Sequence, residues 1–351
     1  MKEPTLGLDR QCVTAGKLVS GIMSLLAVCL VAVIALPASS TSAMAADAQA
    51  QETQPATGDG QAGDTRTNPR SDYWREVRQG NVGTTTIRGQ ETNVLINSYG
   101  EDWRLFREGT VIVLGGWVLV GVVGALALYH LLTGGAKLGD RSGVMIFRWS
   151  VSDRFIHWYT AVLFLVLMIT GMTILWGRDL LIPIMGAESF AAWAAIAKPV
   201  HDYTAAFFVV GLVLMWLKWF KHNIPRAYDL EWIKQGGGYL GGDEHPPAGF
   251  TNAGEKMYYW TLVFAGGAMV VSGVFLLFPN MGFDRQIMAM SNIVHSVSSL
   301  VTIAFVILHI YLATIGNEGS FEAMISGEVD ENWAKKHHDV WYDEVKGQQG
   351  G

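Results

Sequence analysis

The chain has 351 residues, 50% hydrophobic and 16% charged, with 25 Lys and Arg against 31 Asp and Glu for a net charge of −6. Soluble domains carry roughly 25% charged residues, so an ordinary soluble protein is excluded. Cys12 and Cys29 are the only cysteines, with no C-x-x-C or C-x-x-C-H. That excludes a cysteine-ligated iron–sulfur cluster or a covalently attached haem held by this chain alone.

The first apolar run follows Lys2, Arg10 and Lys17, reaches Leu36 and breaks at Pro37 before the A-x-A site Ala43-Met44-Ala45. That order predicts a signal peptide over residues 1–45; an uncleaved first helix is the alternative. Residues 46–109 begin with Ala, Gln, Thr, Gly, Asp and Pro, which bury too little to order a chain. They are expected to be a periplasmic tether that turns partly ordered where Trp74, Ile96, Trp103 and Phe106 appear.

Five more stretches are long enough to span a bilayer, since a helix needs about 20 mostly apolar residues. Between Thr110 and Thr133, Phe155 and Gly177, Met257 and Phe283, and Gln286 and Asn317 there is no Asp, Glu, Lys or Arg, while Pro199 to Leu217 holds only Asp202. Their unbroken Leu, Val, Ile and Met runs lack the alternation of barrel strands. The expected fold is therefore an all-α integral membrane helical bundle. It comprises an extra helix over 110–133, a four-helix domain over 147–317 and a cytoplasmic tail over 318–351. The loops at 134–156, 218–256 and 316–351 hold twelve Lys and Arg, and those at 178–198 and 279–290 hold three. By the positive-inside rule the first set faces the cytoplasm, which leaves the N-terminus outside and the C-terminus inside.

Nine histidines carry the chemistry. His130, His157, His201, His295 and His309 lie within spans, where an ionisable group is costly and marks function. Span direction puts His157 and His309 near the cytoplasmic side and His201 and His295 near the outer side. On one helix His295 and His309 stand fourteen residues apart, about 21 Å along the axis and within roughly 40° of one face. Each pair can supply both axial imidazoles of a b-type haem. His130 can replace His157 or His309 in this scheme, and interhelical hydrogen bonding is the competing use of any membrane histidine. Zinc fits less well, because no third and fourth ligand stands near either pair.

Over about residues 147–346 the chain resembles the gamma subunit of membrane-bound respiratory formate dehydrogenase, a four-helix di-haem cytochrome b. The matching elements are Asp153-Arg154-Phe155-Ile156-His157-Trp158, Lys221-His222-Asn223-Ile224-Pro225 and Asn252-Ala253-Gly254-Glu255-Lys256-Met257. The His295/His309 helix and the tail Trp333-Ala334-Lys335-Lys336-His337-His338 with Trp341-Tyr342 complete the match. The histidine layout alone is shared with hydrogenase cytochromes b. The resemblance implies two haem b groups, held by His157 with His309 and by His201 with His295. It also implies a quinone reduced near Asn252, Gly254, Glu255 and His309 on the cytoplasmic side of the inner membrane. Glu255 stands where family members carry Gln, and Asn252 with Glu255 also forms a capping-box pattern. The implied partners are an iron–sulfur subunit, a catalytic formate-oxidising subunit, quinone and membrane lipid in a hetero-oligomer, with no nucleic acid. A cytochrome b of a hydrogenase or other periplasmic oxidase is the nearest alternative, and a haem-free membrane anchor the alternative from another class. His337 and His338 read as a structural tail or a docking surface for the iron–sulfur partner. His222 reads as a helix-end or proton-relay residue, His245 as an exposed loop residue, and Asp202 as a group that orients a neighbour or docks a partner.

Overall fold

A computed structural model of the chain describes Gln79, residues 98–239 and residues 246–349. The expected signal peptide, Cys12, Cys29, most of the tether and His245 lie outside the described residues. Helix α1 (Ser98–Leu105) passes through a π-helical segment (Phe106–Ile112) into α2 (Val113–Thr133). The run ends at Gly134, whose φ of 73° is the left-handed conformation that lets its N–H reach His130 O.

Strand β1 (Met145–Phe147) leads into α3 (Val151–Leu180). Ser150 and Asp153 form a capping box at the start of α3, satisfying two helix-end N–H groups. Asp153 also accepts from Trp219 Nε1 at 2.9 Å, and Arg154 Nη1 donates to Ile325 O. The Asp-Arg pair thus anchors the helix one turn before His157. A short α4 (Ile182–Met185) turns the chain into α5 (Ala187–Trp219), which ends in a 3₁₀ turn (Phe220–Asn223). After α6 (Ala227–Lys234), α7 (Ala253–Leu277) runs back across the bundle. Asp284 Oδ1 accepts Ile287 N–H at 2.8 Å and starts α8 (Arg285–Tyr311), which widens into a π-helical segment (Leu312–Gly316). Then follow α9 (Glu322–Ile325), β2 (Glu328–Asp330), α10 (Glu331–His337) and α11 (Asp339–Gln349).

The molecule is an integral membrane helical bundle, and among the described residues five helices are long and apolar enough to cross a bilayer. Helices α3 and α5 form one antiparallel hairpin, α7 and α8 another, and α2 lies along α8. A Cβ at Gly115 would fall 2.5 Å from Leu300 Cδ1, so the missing side chain is what lets α2 approach. Phe164, Phe208, Leu212, Met215, Leu262 and Ile303 fill the interior between the hairpins. Leu131, Leu217 and Phe264 point outward at 82%, 74% and 70% exposure, which is stable where lipid tails are the solvent.

A two-stranded sheet closes one end of the bundle. It pairs Met145 with Asp330, Ile146 with Val329 and Phe147 with Glu328. This joins the start of α3 to the segment after α8 and builds a second apolar cluster of Leu138, Ile146, Val329, Trp333 and Trp341. Inside it, Asp330 accepts from Gly143 N at 3.0 Å and Asn332 N at 2.8 Å. Burial pushes its carboxyl up, but these N–H donors and those of Ser142 outweigh it and hold the group below the usual carboxylate range.

Candidate functional site

Four of the membrane histidines meet in two pairs across the hairpins. The rings of His157 on α3 and His309 on α8 have centroids 6.1 Å apart, inclined at 59°. Those of His201 on α5 and His295 on α8 are 6.3 Å apart, at 77°. Two imidazoles on opposite sides of one metal, with bonds of about 2.0 Å and each ring centre roughly 1.1 Å beyond its nitrogen, have centroids about 6.2 Å apart. Both pairs have the spacing of a bis-histidine iron. Among the described residues no hydrogen bond joins the two rings of either pair.

The His201/His295 pair is also oriented. Thr170 Oγ1 lies 2.8 Å from Val166 O, to which it donates, and 2.9 Å from His201 Nδ1. With its proton committed, the hydroxyl can only accept, so His201 Nδ1 carries the hydrogen and Nε2 the lone pair. His295 Nδ1 is 2.9 Å from Met269 O, a carbonyl that can only accept, which fixes the same tautomer. Histidine ligands are commonly held through their second nitrogen in this way, leaving the first free for metal.

Both hairpins use one device for this. A Cβ at Gly171 would lie 3.2 Å from His201 Cε1, and a Cβ at Gly273 would lie 3.2 Å from His295 Cε1. In each case a hydroxyl residue precedes the glycine, Thr170 or Ser272, and Ser272 Oγ stands 3.5 Å from His295 Nδ1. The two Thr/Ser-Gly steps recur within apolar helices, a signal present in the sequence that reading histidines alone passes over.

Around the other pair the surroundings differ. His157 Nδ1 is buried without a hydrogen-bond partner, and Tyr258 of α7 stacks on His309 at 4.8 Å and 18°. His130 is not part of the pair; its Nδ1 lies 3.3 Å from Tyr311 OH. Among the described residues no three His, Cys, Asp or Glu side chains converge on a metal position. A haem brings its own four in-plane nitrogens and needs two protein ligands, so the donor set suits it.

At the same end, α7 begins with a complete capping box. Asn252 Oδ1 accepts Glu255 N–H and Glu255 Oε2 accepts Asn252 N–H, both at 2.9 Å. Asn252 Oδ1 is thereby occupied and its Nδ2 remains the donor. Gly254 is explained by packing, since a Cβ there would fall 2.8 Å from Trp232 Cη2. The remaining candidates make contacts within the chain. Asp202 binds Lys198 at 2.5 Å on its own helix, the His222 ring lies 4.3 Å from that of Phe250, and His337 faces Trp333 at 5.5 Å.

Residues 148–327, just over half of the chain, match the family of prokaryotic cytochrome b561. The chain belongs to this family. As a multi-pass membrane cytochrome b, it is expected to carry haem b. It is similar to the cytochrome b556(Fdn) subunit of the nitrate-inducible formate dehydrogenase of Escherichia coli (strain K12), with 29% identity over 206 residues, 58% of this chain and 92% of that protein. The cytochrome b556 subunit of Haemophilus influenzae formate dehydrogenase is 29% identical over 214 residues, 60% of this chain and 87% of that one. The cytochrome b556(fdo) subunit of Escherichia coli (strain K12) formate dehydrogenase is 28% identical over 204 residues, covering 57% and 93%. The family match spans the last four of the five long apolar helices among the described residues, and the first lies outside it.

Proposed function

We propose that this cytochrome is the electron-transfer subunit of a membrane-bound formate dehydrogenase, oxidising an outer iron–sulfur partner and reducing quinone at the cytoplasmic face. His201 and His295 would hold one haem b near the outer surface of the inner membrane, His157 and His309 a second near the cytoplasm. Bound there, the two groups supply one-electron carriers at two depths. The chain's own part is to fix ligand orientation through Thr170 and Met269, exclude water with apolar helices, and present Asn252 and Glu255 beside His309 to the quinone. Formate oxidation belongs to another subunit of the hetero-oligomer. Moving charge inward against a potential costs about 2.3 kcal/mol per charge per 100 mV, so the arrangement conserves energy.

The match in spacing, 6.1 and 6.3 Å between paired rings, carries this reading. A dithionite-reduced spectrum of the purified protein tests it: two b-type haems per chain are expected. Replacing His295 with Ala should remove one haem and spare the other. Absence of haem after expression with haem supplied, or loss of both components in His295→Ala, refutes the pairing.

A further inference from the structure

The C-terminal tail is threaded into the end of the bundle where the capping box of α7 lies. Arg148, whose side chain is 2% exposed, sits among four rings: Phe250 at 4.8 Å, Trp341 at 4.9 Å, Trp333 at 5.1 Å and Trp149 at 5.9 Å. Its Nη2 donates to Phe250 O at 2.6 Å and lies 3.2 Å from His338 Nε2. His338 Nδ1 is 2.7 Å from Gly249 O, which can only accept. Nδ1 therefore carries the proton, and Nε2 accepts from Arg148. Asp339 Oδ1 accepts Ala248 N–H at 2.8 Å, and Trp341 N–H reaches Ala248 O at 3.4 Å.

Three consecutive backbone units, Ala248, Gly249 and Phe250, are thus held by the tail and Arg148, and the next residue, Thr251, donates to His222 O. Asn252 follows immediately. Arg148 Nη2 also stands 3.9 Å from Glu255 Oε1, so the same guanidinium touches both sides of the capping box. Loop backbone of this kind has no secondary structure to hold it; its position is set by these side chains. We propose that Arg148, His338 and Asp339 are positioning residues that hold Asn252 and Glu255 in the geometry that binds quinone, making the C-terminal tail the floor of the quinone site. The inference rests on the quinone reading above.

The test is stopped-flow reoxidation of the dithionite-reduced cytochrome, in its native membrane complex, by decylubiquinone and by menadione. Asp339→Ala removes the acceptor for Ala248 N–H, and Asp339→Asn keeps an oxygen acceptor at that place. In Asp339→Ala the half-saturating quinone concentration should rise about fivefold, the equivalent of one hydrogen bond. Its limiting rate and reduced spectrum should stay unchanged, and Asp339→Asn should behave as wild type. His338→Asn, which keeps a donor toward Gly249 O and removes the acceptor facing Arg148, is measured alongside in case Asp339→Ala fails to accumulate, and should show the same rise. Asn252→Ala is the control for the quinone site itself. If it raises half-saturation while the accumulating tail variants match wild type, positioning by the tail is overturned. If Asn252→Ala itself has no effect, the quinone reading fails first.

Discussion

Thr170→Val separates a hydrogen-bonded haem ligand from a histidine that merely braces helices. Thr170 Oγ1 stands 2.9 Å from His201 Nδ1 and, donating its own proton to Val166 O, is placed to accept the Nδ1 proton, and valine keeps nearly the same volume without an acceptor. A ligand imidazole that donates through Nδ1 is more basic at Nε2 and favours the oxidised iron, so loss of the acceptor should raise the midpoint potential of that haem. A neutral hydrogen bond contributes about 1 kcal/mol net. Since tenfold corresponds to about 59 mV for one electron, the upper bound is about 43 mV, and a rise of about 20–40 mV is expected. Ser272→Ala provides the contrast. His295 Nδ1 is served at 2.9 Å by Met269 O, which a side-chain change cannot remove, and Ser272 Oγ stands off at 3.5 Å. Its shift should remain below about 10 mV. A redox titration followed in the reduced haem band, resolved into two components, measures both variants against wild type. Unchanged potentials in Thr170→Val, an equal shift in Ser272→Ala, or movement of both components would refute the assignment of the Nδ1 proton.

Two further outcomes follow from packing and charge. Gly115→Val places carbon where Leu300 already stands, 2.5 Å from the Cβ position. It should loosen α2 from α8 at a cost of about 1–3 kcal/mol, raising proteolysis before Val113 while leaving both haem signals intact; loss of haem instead would place α2 within the haem-binding core. Asp330 has a folded pKa below its unfolded one. Its contribution is therefore present above the unfolded value of about 3.9 and is lost as pH falls through the lower folded value. Protease release of the C-terminal tail should be flat from pH 6 to about 5 and rise only below about pH 4, and Asp330→Ala should raise it at neutral pH; tail release that is the same in wild type and variant would refute the role.

Much of the bundle was legible in the linear sequence, because lipid imposes a rule that acts on each span separately. A stretch such as Phe155 to Gly177 without one Asp, Glu, Lys or Arg has to be helical across a bilayer whatever its neighbours do. The order of such stretches fixes which histidines share a depth, and the fourteen-residue spacing of His295 and His309 is a property of one helix. The capping box of Asn252 and Glu255 is local too, and it forms at the start of α7.

What tertiary structure alone decided lies between helices. That the rings of His201 and His295 stand 6.3 Å apart depends on how two hairpins pack. That Thr170 and Gly171 serve His201 depends on a contact across thirty residues, invisible to any periodicity. Arg148 is the clearest case. In sequence it is one of the positive charges flanking a span, and charge near a membrane end reads as a topology signal. The fold instead buries it among rings from two distant segments, the loop at Phe250 and the C-terminal tail, because the sheet between β1 and β2 brings the tail back beside α3. Burial of a guanidinium is settled by partners that only the closed chain assembles, whereas the spans follow from a solvent the sequence meets one helix at a time.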